Sequence, residues 1–175
     1  MDVIPPAVKF LVTAAVIMTA ACSAPAEPTR AAAPLSQTFA SPEELARTML
    51  AALARKDLDA LRALPLSEVE FRDQVWPKLP TSRPERNVPF EYAWGQMKQR
   101  SDGSLGETVA RYGGRSLRFV STRFQGETTE YATFTVMRES EIIAADETGR
   151  ELILQLYGSA MVKDGRYKLF SFVVD

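Results

Sequence analysis

The sequence predicts an α+β fold, with N-terminal helices packed on a curved antiparallel sheet of about four strands. Three observations lead there. Apolar residues recur every three or four positions between Ser41 and Tyr112, the period of a helix with one buried face. From Arg115 onward the period drops to two, the period of a strand. The segments of the second half are joined by short connections such as Gln125-Gly126 and Lys163-Asp164-Gly165. Helices in one block and strands in another are the mark of α+β rather than α/β organisation.

The helical half carries its own punctuation. Ser41 precedes Pro42, a good first helical residue, and Glu44 follows three positions after the cap. Leu45, Met49, Leu50 and Leu53 then share one face. Asp57 is a second N-cap, with Leu58, Leu61 and Leu64 on one side until Pro65 stops the run. Ser67 with Glu70 forms a third start, a capping box, with Phe71 and Val75 beyond it. Residues 77–89 carry Pro77, Pro80, Pro84 and Pro89 and predict a stiff loop. Phe90, Trp94, Met97, Ser101, Leu105, Val109 and Tyr112 form a long stripe, with a break expected near 102–104 because Gly103 and Gly106 weaken it. Gly113-Gly114 is the C-terminal cap.

Four strands are predicted over 115–124, 127–145, 150–162 and 166–174, and Asp164-Gly165 is a strong hairpin signal between the last two. Leu152, Leu154 and Leu156 alternate with Ile153, Gln155 and Tyr157. Ala132, Phe134 and Val136 alternate with Tyr131, Thr133 and Thr135. One sheet face is therefore expected to cover helices and the other to meet solvent or a partner.

Composition narrows the function. The chain is 46% hydrophobic and 25% charged, the balance of a globular protein. Its 21 basic and 22 acidic residues leave a net charge of −1, without the basic excess that gripping nucleic-acid phosphates requires. There is no histidine, which removes the commonest general base and metal ligand. No Cys/His/Asp cluster has metal-ligand spacing, and no glycine motif for phosphates occurs. No cofactor is expected.

The first residues read as an address. Lys9 is followed by an apolar run from Phe10 to Ala21. At about 1.5 Å per residue this run makes a helix of roughly 18 Å, short of the ~30 Å membrane core, so it reads as a secretory signal. The run ends in Thr19-Ala20-Ala21 before Cys22, the only cysteine. This junction resembles the bacterial lipoprotein signal, which implies cleavage before Cys22 and a lipid on its sulfur. A plain secretory signal with an incidental cysteine, or an uncleaved anchor, also fits. The lipoprotein reading gives a signal peptide over 1–21, a lipidated Cys22 with a disordered Ala/Pro/Ser/Thr-rich tether over 22–38, and a domain over 39–175. It implies a protein of the bacterial envelope, lipid-anchored and facing the periplasm, with Ser23 favouring the outer membrane.

The order of elements, with "SPEELARTMLAALARKDLDALRAL" opening the domain and "GSAMVKDGRYKLFSFVV" closing it, resembles the NTF2-like superfamily, which includes SnoaL-like and ketosteroid-isomerase-like domains. The resemblance implies a cone: three helices in the concave face of a bent sheet, around a pocket. Enzymes of the family place an Asp or His base there. Here the available groups are Asp73, Glu91, Glu139 and Glu141 with Tyr92, Tyr112 and Tyr157, none in a family motif.

Two functions are therefore open. One is a non-catalytic, membrane-tethered module binding a small hydrophobic ligand or an envelope protein. The other is a small isomerase, dehydratase or hydrolase with an Asp or Glu base in the cone. Trp76, Tyr92, Trp94 and Tyr112 are the candidate ligand-binding residues, since pockets are lined by aromatics. Core packing is the alternative, above all for Trp94, which shares its stripe with Phe90 and Met97. Arg83, Glu85 and Arg86 form a charged loop, expected to be solvated. The resemblance also implies a possible homodimer through the outer sheet face, with Tyr131, Thr133, Thr135 and Tyr157 as the patch.

Overall fold

Capping and periodicity place the helices where the sequence puts them. In this computed structural model, which describes Met1 and residues 34–174, helix α1 runs Pro42–Arg55, α2 Leu58–Ala63, α3 Glu68–Glu70 and α4 Phe90–Tyr112. Cys22, the expected signal peptide over 1–21 and most of the expected tether lie outside the described residues. The Ser41 side chain accepts from the Glu44 amide, and Asp57 accepts from the Ala60 amide at 3.0 Å. Ser67 and Glu70 exchange bonds as a complete capping box. After α3 the chain widens into a π-helical turn, Phe71–Val75, and then steps through three 3₁₀ turns, each opened by a proline in its first two positions. The proline-rich stretch is thus a string of locked turns.

Helix α4 is continuous over 23 residues, and the break expected near 102–104 is absent. Gly103 and Gly106 both lie on its solvent side, while Ser101, Leu105 and Thr108 are buried beneath them. Packing of the inner face outweighs the roughly 1 kcal/mol that each glycine withholds.

The four expected strands become seven among the described residues, in two antiparallel sheets. Strands β1 (Arg118–Phe124), β4 (Ser140–Ala145) and β5 (Glu151–Leu154) form one sheet in the order β1-β4-β5. Strands β2 (Thr129–Glu130), β3 (Thr135–Met137), β6 (Ser159–Lys163) and β7 (Arg166–Ser171) form the other in the order β2-β3-β6-β7. The long second segment contributes to both sheets because it breaks twice. Its second break is at Arg138-Glu139, where Glu139 takes a left-handed backbone (φ 53°) and redirects the strand. The third segment breaks over 155–158. The β6–β7 hairpin turns at Asp164 and Gly165, both at positive φ (50° and 70°), which a two-residue turn of matching twist needs.

The two sheets differ in how they are covered. In β1-β4-β5 one face is buried, through Ile142, Ala144 and Leu154, and Ile153 stands in solvent, as alternation predicts. The β6–β7 hairpin is covered on both faces. Ala160 and its partner Leu169 join a leucine-rich cluster with Leu45, Met49, Leu53 and Leu61. Met161 and Phe170 join a second cluster with Phe71, Val75, Phe134 and Val136. The expectation of one free face therefore fails for this hairpin. Its strands put apolar side chains at consecutive positions, so both faces lose area to water.

Of the patch expected for a homodimer, Thr133 is exposed and Tyr131 and Thr135 are partly exposed, but Tyr157 is not at the surface. Tyr157 is fully buried, because the backbone leaves the strand at 155–158 and turns both Leu156 and Tyr157 inward. Tyr131 stacks on Phe134, with ring centroids 4.7 Å apart, and packs against the second cluster.

The domain also begins earlier than residue 39. The Phe39 amide and carbonyl pair with those of Tyr167 at 2.8 Å each, and Arg166 donates to the Thr38 carbonyl at 2.7 Å. The Leu66 amide donates to the Leu169 carbonyl at 3.0 Å. Together these cover the outer edge of β7, which would otherwise present unpaired backbone groups.

Candidate functional site

A cavity of about 560 Å³ is bounded by residues 36–37, the end of α2, the link to α3, the middle of α4 and the end of β7. Its apolar wall comes from two places. Trp94, Met97 and Leu105 lie on α4 at steps of three and eight residues, one side of a helix, while Phe170 stands near the end of β7 and Phe172 just past it. Ser101 ties these walls together: buried in mid-helix, its hydroxyl accepts from the Phe172 amide at 3.0 Å.

Charges sit at the rim. Lys98 is held by both carboxylate oxygens of Asp102, one turn along the same helix. Glu68 pairs with Arg72, again one turn away. Among the described residues Arg62 has only Asp59, at 3.9 Å, and Asp59 is itself fully exposed.

Beside the cavity lies a buried ion pair. Lys168, on the same hairpin face as Met161, is inaccessible to solvent, with its Nζ 3.6 Å from the Glu70 carboxylate and donating to the Ser36 carbonyl at 2.8 Å. Glu70 accepts from the Ser36 amide at 2.6 Å and hydroxyl at 2.8 Å, and from the Ser67 amide at 2.7 Å. Burial alone would raise the Glu70 carboxyl. The bonds from Ser67 and Ser36, with the Lys168 charge, outweigh it and hold the group below the ordinary carboxylate range. Burial pushes Lys168 down, against the pull of Glu70. Every bond of this pair is local to the wall it fastens: Ser36 and Gln37 line the cavity.

The four expected ligand residues do not converge. Trp94 lines the cavity. Trp76 sits one layer back, 6.2 Å from Phe71 and 5.9 Å from Phe90 by ring centroid, in the aromatic cluster that backs Trp94. Tyr112 faces elsewhere: it lies between Arg111 and Arg115 at one edge of a smaller, polar cavity of about 390 Å³ with Glu107 and Gln155. Tyr92 is 63% exposed. One helix carries three of them, but Tyr92 and Trp94 are two positions apart and face different ways, and Tyr112 lies eighteen positions beyond Trp94, about 27 Å further along the axis.

None of the carboxylates considered for catalysis enters the cavity. Asp73, Glu91 and Glu139 are exposed, and Glu141 lies opposite Arg123 in the β1-β4 pair. Hydrogen bonds from Arg123, at 2.7 Å, and Gln125 lower the Glu141 carboxyl, the reverse of what a general base near neutrality needs. Burial raises the Tyr157 phenol well above its ordinary value. The hydroxyls of Ser140 and Thr122 stand nearby and oppose this, but no hydrogen bond reaches the phenol oxygen. Among the described residues no group of three or more His, Cys, Asp or Glu side chains is arranged to hold a metal ion.

Sequence reasoning missed Phe170, Phe172, Arg62 and the Glu70–Lys168 pair. Two signals were present. A serine in the apolar stripe of α4 is out of place unless something bonds it, and a lysine between Tyr167 and Leu169 in a strand buried on both faces needs a partner.

The fold and site define a class: a small α+β domain with one open, largely apolar cavity walled by a helix and a strand end. No family model matches the chain, and no curated protein or solved structure matches it either.

Proposed function

We propose that the chain is an envelope lipoprotein, held on a bacterial membrane by a lipid on Cys22 and facing the periplasm, whose NTF2-like domain binds a small hydrophobic ligand without transforming it. The observation that carries the binding reading is the cavity. Its volume lies within the roughly 300–1,000 Å³ of small-molecule sites, and Trp94, Met97, Leu105, Phe170 and Phe172 offer the ligand rings and chain rather than charge. The NTF2-like reading draws on element order, with helices before the antiparallel strands and the 127–145 segment giving strands to both sheets. The non-catalytic reading draws on the carboxylates at the rim, Glu68 and Asp102, each tied to a cation one helical turn away. Among the described residues no helix is long and apolar enough to cross a membrane. The lipid anchor is argued from Thr19-Ala20-Ala21-Cys22 alone.

Native mass spectrometry of the full-length protein purified from its host envelope tests the binding reading. A bound small molecule is expected, and Ala63→Trp, which places a ring at the cavity wall, is expected to remove it; a ligand-free protein, or a ligand retained by Ala63→Trp, overturns the reading. The anchor is tested separately. Cys22→Ala is expected to move the protein to the soluble fraction, and labelled palmitate still entering that variant overturns lipidation.

A further inference from the structure

Resting on the reading of this cavity as a ligand site, we propose that its ligand is a single-chain amphiphile with one anionic headgroup, seated with the chain among Trp94, Met97 and Phe170 and the head on Arg62. The argument is a charge inventory. Four charged side chains line the cavity: Arg62, Glu68, Lys98 and Asp102. Three of them are committed. Both oxygens of Asp102 hold Lys98, and Glu68 bonds the Arg72 guanidinium at 2.5 Å. Each of these pairs bridges one helical turn, so it persists without a ligand.

Arg62 differs. Its one acidic neighbour among the described residues, Asp59, lies 3.9 Å from a guanidinium nitrogen, beyond hydrogen-bond length, and is fully solvated. The Arg62 side chain is 61% exposed and stands in the last turn of α2. It therefore brings a fork of N–H donors to the cavity with no tight acceptor, the geometry that suits a carboxylate or a phosphate ester. A cationic head would meet Arg62 as a like charge. A neutral head would leave its donors to water.

The chain end follows from the walls. Apart from Gln37 and the four charged side chains, the polar residues lining the cavity are serines, and Ser101 is already bonded to the Phe172 amide. At about 30 Å³ per water-sized group the volume holds roughly eighteen such groups. That is room for one acyl chain with its head and not for a two-chain lipid.

The test uses the full-length protein and three probes with one twelve-carbon chain: dodecanoate, dodecanol and dodecylammonium, titrated by calorimetry near neutral pH below their micelle-forming concentrations. Dodecanoate is expected to bind about tenfold or more tightly than dodecanol, the scale of one charge-assisted hydrogen bond, and dodecylammonium most weakly. Dodecyl phosphate serves as a fourth arm: binding at least as tight as dodecanoate points to a phosphate ester as the natural head, weaker binding to a carboxylate, and either supports an anionic head. Arg62→Gln is expected to bring dodecanoate to within about twofold of dodecanol and leave dodecanol unchanged. Dodecanol binding as tightly as dodecanoate, a preference for dodecylammonium, or an unchanged preference in Arg62→Gln overturns the anionic class while the cavity reading stands. Binding of none of the probes overturns both.

Discussion

The two faces of the β6–β7 hairpin are covered by different chemistry. On one, Leu45, Met49, Leu53, Leu61, Leu154 and Leu156 interlock with almost no exposure. On the other, Phe71 collects Trp76, Phe90, Trp94 and Phe170 around it at centroid distances of 5.6–6.3 Å, several of them partly exposed, and a charged pair is sealed beneath. Branched aliphatic side chains interdigitate to crystal-like density. Large flat rings tile instead, and where the tiling ends between Trp94 and Phe170 the cavity opens. The first face supplies stability and the second supplies a site, and one strand pair serves as the wall between them.

The comparison breaks first at the ion pair. Glu70→Ala leaves Lys168 buried with no carboxylate and releases both Ser36 bonds, so a loss of about 3–5 kcal/mol in urea unfolding is expected. A loss below about 1 kcal/mol would mean that the aromatic side does not depend on its polar pair. The same pair sets an acid response. Because the Glu70 carboxyl titrates below its ordinary value of 4.5, its contribution is complete above that pH and drains away as pH falls through the lower folded value. Glu70→Gln is expected to flatten that part of the stability curve; an unchanged acid slope would remove Glu70 as its source.

Leu53→Ala tests the other side. With Leu53 sealed against the sheet, the truncation is expected to cost about 2–5 kcal/mol and to leave ligand binding intact. Trp94→Ala is the reverse case. The ring is only partly buried, so a cost of roughly 1–2 kcal/mol is expected, together with loss of dodecanoate binding. If Leu53→Ala abolished binding at equal fraction folded, or Trp94→Ala spared it, the division of labour between the faces would be wrong.

What could be read from the sequence is whatever is decided within a few residues. The caps at Ser41, Asp57 and Ser67, the leucine face of α1 and the Asp164-Gly165 turn all stand as expected, because each depends on neighbours three or four positions away. The sheet was half legible. Alternation marked the strands, but Glu139's left-handed backbone and the departure at 155–158 answer to the distant surface they bend around. Consecutive apolar residues at Ala160-Met161 and Leu169-Phe170 did signal a hairpin buried on both faces, against the one-sided sheet that alternation elsewhere suggested. The site was least legible. Ser36, Arg62, Trp94 and Phe172 meet only in the fold, and no local rule selects Trp94 for the cavity and Trp76 for the layer behind it.

The smallest expected effect concerns α4, the one helix that spans both regions, with Trp94 and Met97 on the aromatic side and Leu105 and Val109 on the leucine side. Gly103 lies between these stretches, and a methyl group there would meet nothing within 4 Å. Gly103→Ala removes unfolded-state freedom without disturbing a contact, so a gain of about 0.5–1 kcal/mol is expected. Amide exchange sharpens the reading. If α4 transmits order between the faces, slower exchange is expected on both sides of residue 103, at Met97 as well as Leu105. Slowing confined to the leucine side would show that the two faces open independently, with the cavity wall free to loosen while the core stays shut.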